Sequence, residues 1–365
     1  MISIFFLGII LAILVWNYCY RVLWSKNVAV FVQFKEQAVY AGKQAAIVEK
    51  VENRKRMPLP VLEVSFHFEK GLLFHDMENT VVSDYTYKRD VFALLGNQRI
   101  TRTLTLDCNK RGYYSIDKIS YTAFSLLYRK RYGKEQPITT DLYVYAKRTD
   151  VSDIVVVFEK MMGEIQCRKR LEEDMFAFSS IREYTIDDPM KTINWKASAK
   201  TGKMMVNTYE STLAGKAMIY LDIEDKGIYS YENLVENGIS VAASLAQKLI
   251  SRGIEVGLSF NAAEEKEAYV KPGASRTQLA KIEKLLAACN TKEGTVSYET
   301  ILKDLPEDAV PVFITRDVLR NREKIESFLG KENFGIWVIY HQKEDKIEIT
   351  GQRNLKVIKR EVEGR

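Results

Sequence analysis

The stretch from Ile2 to Trp24 constrains this chain most. Ile2 to Trp16 is an uncharged apolar run, and the apolar character continues through Tyr18, Cys19 and Tyr20 to Trp24. About 20 such residues span a bilayer as a helix. A secretory signal would carry positive charge before the run and small residues at its end. Here no charge precedes it, and Arg21 and Lys26 follow, beside the aromatic Trp16, Tyr18, Tyr20 and Trp24. That reads as a single-pass transmembrane anchor over residues 1–26 with an aromatic belt at one interface. Its positive charges lie on the C-terminal side, which puts the bulk of the chain in the cytoplasm and makes the lipid bilayer its first partner.

The 365 residues leave room for two modest domains behind that anchor. The net charge of +6 comes with local basic runs at Arg129-Lys130-Arg131 and Arg168-Lys169-Arg170. Neither has the aromatic interleaving of a nucleic-acid reader, so nucleic acid is not an expected partner; a solvated face or a surface near anionic headgroups is. Cys19, Cys108, Cys167 and Cys289 form no C-x-x-C pair, and His67, His75 and His341 have no metal-ligand spacing. No nucleophile motif accompanies those histidines, which argues against a hydrolase of the Ser-His-Asp or Cys-His kind.

From residue 27 to 151 the pattern is strand-like. Val28–Val32, Ala45–Val48, Leu62–Phe68 and Thr101–Leu106 are short β-rich runs separated by turn or charged segments such as Ala41-Gly42-Lys43 and Asn53–Pro58. Short alternating strands at this spacing predict an all-β sandwich. Residues 152–212 read as a linker followed by a charged block. Glu164, Arg168, Arg170, Glu172 and Asp174 give the linker an exposed character. In the block, Asp187-Asp188-Pro189 is a turn, because Asp bonds local backbone and Pro fixes φ. Ile193, Trp195, Ala197 and Ala199 suit a short element packed on a core. Arg182, Glu183, Asp188, Lys191, Lys196 and Lys200 supply mixed charge, either as a buried ion-pair lattice clamping two domains or as a catalytic or ligand site.

From 213 to 365 strands and helices alternate. Ala217–Asp222 reads as a buried parallel strand, Tyr231–Arg252 as an amphipathic helix and Ile254–Phe260 as the next strand. Helices at Arg276–Cys289, Tyr298–Leu305 and Asn321–Leu329 and strands at Ala309–Thr315 and Phe334–Tyr340 complete a doubly wound α/β sheet.

The block resembles the signature of the bacterial family called domain of unknown function 58. The residues that carry the resemblance are Ile181, Arg182, Glu183, Tyr184, Asp188, Lys191, Ile193, Asn194, Trp195, Lys196, Ser198, Ala199 and Lys200. Asp187 stands for the family's turn Gly, Lys191 and Lys200 for Arg, and Asn194 for Asp. Upstream, Lys110–Tyr114 looks like the family's Arg-Gly-x-Tyr strand entry. The resemblance implies a plasma-membrane protein, a von Willebrand factor A-like α/β domain and an AAA+ ATPase of the MoxR type as partner. It also implies a metal-ion-dependent adhesion site, Asp-x-Ser-x-Ser, after the first strand. The chain has Asp222-Ile223-Glu224-Asp225-Lys226 there, and Thr315 is followed by Arg316 with Asp317 one step late. Asp222, Glu224, Asp225 and Asp317 could supply oxygens for magnesium, but Lys226 brings a competing cation. The expectation is a degenerate site with an internal salt bridge, no cofactor and no catalytic residue. A membrane-anchored interaction module follows, with a cell-envelope structural component or an uncharacterised hydrolase as the alternatives.

Overall fold

A computed structural model describes residues 2–124, 130–172, 178–185, 188, 190, 193–209, 215–224, 232–262, 268–291, 294–302, 305–330, 333–343, 349, 351–352 and 354–362. In chain order it begins with α1 (Ile2–Leu23), β1 (Val28–Phe34), β2 (Ala38–Tyr40), β3 (Lys43–Asn53), β4 (Leu59–Glu69) and β5 (Leu72–Phe74). It continues with β6 (Thr80–Val82), β7 (Tyr85–Leu94), β8 (Gln98–Cys108), β9 (Gly112–Phe124), β10 (Arg131–Tyr145), α2 (Ser152–Glu172), β11 (Phe178–Glu183), α3 (Trp195–Thr201) and β12 (Met205–Tyr209). Then come β13 (Lys216–Leu221), α4 (Glu232–Ser251), β14 (Glu255–Phe260), β15 (Tyr269–Gly273), α5 (Arg276–Ala288) and α6 (Tyr298–Ile301). The last elements are β16 (Ala309–Thr315), α7 (Val318–Leu329), β17 (Gly335–His341) and β18 (Leu355–Glu361). The chain divides into two compact units, Met1–Thr149 with Ala280–Lys292, and Asp150–Leu279 with Glu293–Arg365.

In the first unit, α1 is long and apolar enough to cross a membrane over Phe6–Leu23. Behind it stand two sheets, ordered β1-β3-β8-β5 and β2-β10-β9-β4-β7-β6. Alternate residues of both sheets meet in one apolar core that includes Ile47, Val51, Leu62, Val64, Phe66, Leu106, Ile116 and Tyr121. This is the sandwich that the strand spacing predicts. The runs read from sequence are parts of longer strands. β7 escaped that reading because its inward positions are Thr86, Lys88, Asp90, Phe92 and Leu94, three of them polar. The Arg-Gly-x-Tyr entry has a packing cause: the Tyr114 ring lies over Gly71, where a Cβ would come within 2.2 Å of the phenol oxygen.

In the second unit the residues expected as an exposed linker form α2. Val151, Ile154, Val155, Phe158 and Met161 are buried, at the three- and four-residue spacing of one helix face. Asp150 Oδ1 accepts the Ser152 backbone N–H at 3.0 Å and opens the helix. The charges further along had masked that short apolar stripe. The main sheet of this unit is ordered β15-β14-β13-β16-β17-β18. All its pairings are parallel except β15 on β14. Two of its strands depart from expectation: β15 is an antiparallel edge, and β18 adds a parallel strand beyond β17. β13 and β16 are buried almost throughout, as strands covered on both faces must be.

Candidate functional site

The chain runs from β13 to β14 on one side and later returns to β16 on the other side of β13. Ligands of open α/β sheets bind outside the carboxyl ends of strands at such a reversal. Register places Leu221 beside Phe260 and beside Ile314, so the next residues, Asp222, Asn261 and Thr315, stand in a row at the strand ends. Asp222 is 7% exposed. Its Oδ1 accepts from Asn261 Nδ2 at 2.8 Å and from the Glu224 backbone N–H at 3.1 Å. Its Oδ2 accepts from Asn321 Nδ2 at 2.8 Å. Asn261 also takes the Ile223 N–H on its Oδ1 at 2.8 Å. Burial still holds the Asp222 carboxyl above its usual range, against the pull of these donors. Beneath it Tyr298, fully buried, donates to the Tyr220 carbonyl at 3.0 Å.

A cation does enter this cluster, and it is Arg320 from the first turn of α7. Its Nη2 donates to Glu224 Oε2 and lies 3.8 Å from Asp222 Oδ2. Its Nε lies 4.0 Å from Asp317. Lys226, the cation anticipated from sequence, and Asp225 lie outside the described residues. Asp317 has a structural task, since its Oδ1 accepts the Arg320 backbone N–H and caps α7. Thr315 is buried and accepts the Trp337 indole N–H at 2.9 Å.

This donor set does not fit a divalent ion. Magnesium wants near-octahedral oxygens, whereas both Asp222 oxygens are held by N–H donors and a guanidinium stands between three carboxylates. Asn321 Oδ1 lacks a donor, but one amide oxygen beside a guanidinium makes no coordination shell. Among the described residues no group of three or more His, Cys, Asp or Glu is placed to hold a metal.

The signature block folds as an antiparallel hairpin, β11 on β12, with α3 between them. Arg182 donates to both Asp188 oxygens, at 2.7 and 2.5 Å, and Asp188 also accepts the Thr185 N–H and hydroxyl, each at 2.8 Å. The Arg182 guanidinium, aided by Thr185, holds the Asp188 carboxyl well below the usual range. Glu183 pairs with Lys203 at 2.5 Å. Asn194 caps α3, its Oδ1 accepting the Ala197 N–H at 2.9 Å, a task Asn and Asp do equally. Ser198 Oγ donates to the Asn194 carbonyl and accepts the Met205 N–H, tying α3 to β12. Tyr184 N–H continues the ladder to Met204.

The expectation of a buried lattice is corrected here. Arg182, Glu183, Trp195 and Lys196 are exposed, Trp195 at 69%. Their pairs close within the hairpin, because the turn brings Asp188 back to the strand it left. Lys191 lies outside the described residues. The block and the strand-end cluster are thus separate sets, and sequence reasoning missed Asn261, Asn321 and Arg320 of the second. Asn261 carried a signal, a lone amide straight after an apolar strand; the other two sit on a helix face and carried none.

Residues 180–355 match the family model described as Protein of unknown function DUF58. The matched stretch runs from the signature hairpin through the strands that carry the Asp222 cluster, in keeping with the resemblance carried by the block. No curated protein sequence matches the chain. Among solved structures it is similar to a non-cellulosomal cohesin from Archaeoglobus fulgidus, at 7% identity and TM-score 0.23, over 33% of this chain and 92% of that one. It is also similar to a CARDB domain from Pyrococcus furiosus, at 14% identity and TM-score 0.21, over 32% and 96%. A third likeness is a PapD-like domain of human CEP192, at 10% identity and TM-score 0.19, over 33% and 86%. The fold described above rests on strand pairing and not on these scores.

Proposed function

We propose that the chain is a single-pass plasma-membrane protein whose cytoplasmic bulk is a protein-interaction module, an adaptor for an AAA+ ATPase of the MoxR type, and not an enzyme. The strand-end cluster carries this reading. Polar groups converge where an open α/β sheet receives its ligands, yet the described carboxylates Asp222 and Glu224 are already answered from within, by amides, a backbone N–H or Arg320. Such a set suits recognition more than turnover. The strand order, with Asp222 directly after the central strand, supports a von Willebrand factor A-like domain. In an intact adhesion site of that kind, a metal ion takes a carboxylate from the partner. Here Arg320, about a third exposed, stands in for the cation, and its planar fork offers a bidentate edge to a partner's carboxylate. The exposed signature hairpin, with Trp195 and Met190 outward, adds docking surface. Orientation follows from Arg21 and Lys26 on the C-terminal side of α1.

Crosslinking and affinity purification of the full chain from membranes tests the reading. An AAA+ ATPase should be recovered equally with and without chelator, and Arg320→Glu should abolish its recovery. Recovery of no ATPase, or recovery that requires magnesium, would overturn the proposal.

A further inference from the structure

The apolar helix does not simply lead into the sandwich; its last turn is packed against it. Tyr20 and Trp24, one turn apart, are 1% and 7% exposed, while Leu11, Leu14, Val15 and Tyr18 are open. The covering rings are Tyr121 of β9 and Tyr132 of β10. Tyr121 lies 5.9 Å from Trp24. Tyr132 lies 6.4 Å from Trp24 and reaches Tyr20 as well, at 6.2 Å. The end of the helix is pinned a second way, by Lys55 Nζ donating to the Trp24 carbonyl at 2.6 Å and the Lys26 carbonyl at 3.2 Å.

The direction of the hairpin follows from its register. Tyr121 opposes Lys134, and Tyr132 opposes Ala123, two rungs nearer the outer end of the hairpin. Two rungs are about 7 Å along a strand, and Tyr20 lies about 5.4 Å from Trp24 along the helix. The hairpin therefore advances beside α1 towards the helix N-terminus, into the span. The next rung pairs Phe124 with Arg131, whose guanidinium sits 5.3 Å over the Phe124 ring. Lys130 precedes it and is exposed, as are Arg21 and Lys26 on the helix side.

The geometry points to the outer end of the β9–β10 hairpin as a second membrane contact, in which Lys130 and Arg131 bind anionic lipid headgroups beside α1. This rests on reading α1 as an anchor. The partner follows from position and charge. The hairpin end runs along a helix whose described residues from Leu11 to Trp16 are exposed and apolar, a surface that hydrocarbon covers. Arg131 stands one rung beyond Tyr132, near the level of Tyr20, and the long stems of Arg131 and Lys130 let their charges reach back to the headgroup layer. Aromatic residues favour that layer, Arg reaches from it along its apolar stem, and basic residues near an anionic leaflet are attracted individually. Two attachments, helix and hairpin, would fix how the sandwich stands on the membrane.

The full chain is reconstituted in phosphatidylcholine vesicles with and without phosphatidylglycerol. A fluorophore is placed on a single reactive cysteine, with Cys19, Cys167 and Cys289 replaced by serine. Nitroxide-headgroup lipid is the quencher. Positions are Gly133→Cys near the hairpin end, where a Cβ meets only Thr122 Oγ1 at 3.5 Å, Asp117→Cys farther from that end, midway along β9, and Val22→Cys on the helix. We expect quenching at 22 and 133 but not at 117, stronger at 133 when phosphatidylglycerol is present. Lys130→Glu with Arg131→Glu should remove that increment. Quenching at 22 without quenching at 133 overturns the hairpin contact and leaves the anchor standing. No quenching at 22 overturns both. Equal quenching at 133 in the two lipid mixtures overturns the assignment to anionic headgroups.

Discussion

Two buried carboxylates in this chain meet the same problem with different means. Asp222, at the strand ends of the second unit, is surrounded by neutral donors: two side-chain amides and a backbone N–H, with Arg320 at the edge. Glu49, inside the sandwich, faces Asp90 and Lys88 of β7 and Arg102 of β8. Arg102 and Lys88 approach Asp90 Oδ1 at 3.3 and 3.8 Å. Among the described residues no donor reaches either oxygen of Glu49 or Oδ2 of Asp90. Yet Glu49 lies in hydrogen-bond reach of Asp90, and two acceptors in contact need a proton between them. Burial first, then the Asp90 charge, pushes Glu49 up to about 8. One site is satisfied by neutral donors that bond its oxygens; the other is satisfied by keeping its own proton.

The largest effect should come from breaking the amide solution. Asn261→Leu removes one of the two donors to Asp222 Oδ1 and the acceptor of the Ile223 N–H, leaving the buried carboxyl a donor short and the buried N–H unanswered. At about 1–3 kcal/mol for each such group, the second unit should lose about 4 kcal/mol. Urea titration of the full chain checks it. A loss below about 1 kcal/mol would mean that water takes the place of the amide.

The proton solution should be visible in pH dependence. A carboxyl whose folded pKa is raised stabilises the fold fully below its unfolded value and loses that contribution as pH rises through the folded value. For Glu49 the window runs from 4.5 to about 8, and stability should fall steadily as pH rises across it. Glu49→Gln supplies Asp90 with a permanent donor and should flatten the curve while leaving low-pH stability nearly unchanged. An equally steep curve in the variant would assign the dependence to another group.

What was legible in the sequence follows the same division. An unbroken apolar run exposed α1, and apolar patterning exposed α4, β13, β14, β16 and β17, because burial in those five is largely the work of Val, Ile, Leu and Ala. β7 was hidden, since Lys88 and Asp90 fill inward positions that partners distant in sequence, on β3 and β8, and the Glu78 carbonyl make tolerable. α2 was hidden by its charged second half. Asp222 was legible as a strand-end acid, but its donors come from Asn261 and Asn321, 39 and 99 residues away. Local reading also chose the wrong sort of burial for the block: its charges are adjacent in space because they are adjacent along a hairpin, and adjacency needs no interior.

That last point carries the smallest expected effect. Arg182 and Asp188 make the best ion-pair geometry in the block, with two parallel N–H···O contacts. A buried pair so arranged would cost about 3–5 kcal/mol to break. Here the Arg182 side chain is 47% exposed, so water can take over much of its solvation when the partner is lost. Asp188 keeps the Thr185 N–H and hydroxyl after Arg182 is removed. Arg182→Ala should therefore lower stability by less than about 1 kcal/mol, the range of exposed pairs. Asp188→Ala, which frees the Thr185 backbone N–H as well, should cost more than Arg182→Ala, by the amount a lost cap costs, about 1 kcal/mol. Melting of the two variants side by side decides the matter. A loss near 4 kcal/mol for Arg182→Ala would show that this hairpin charge is buried in the working protein, and that the block belongs with Asp222 among the interior solutions.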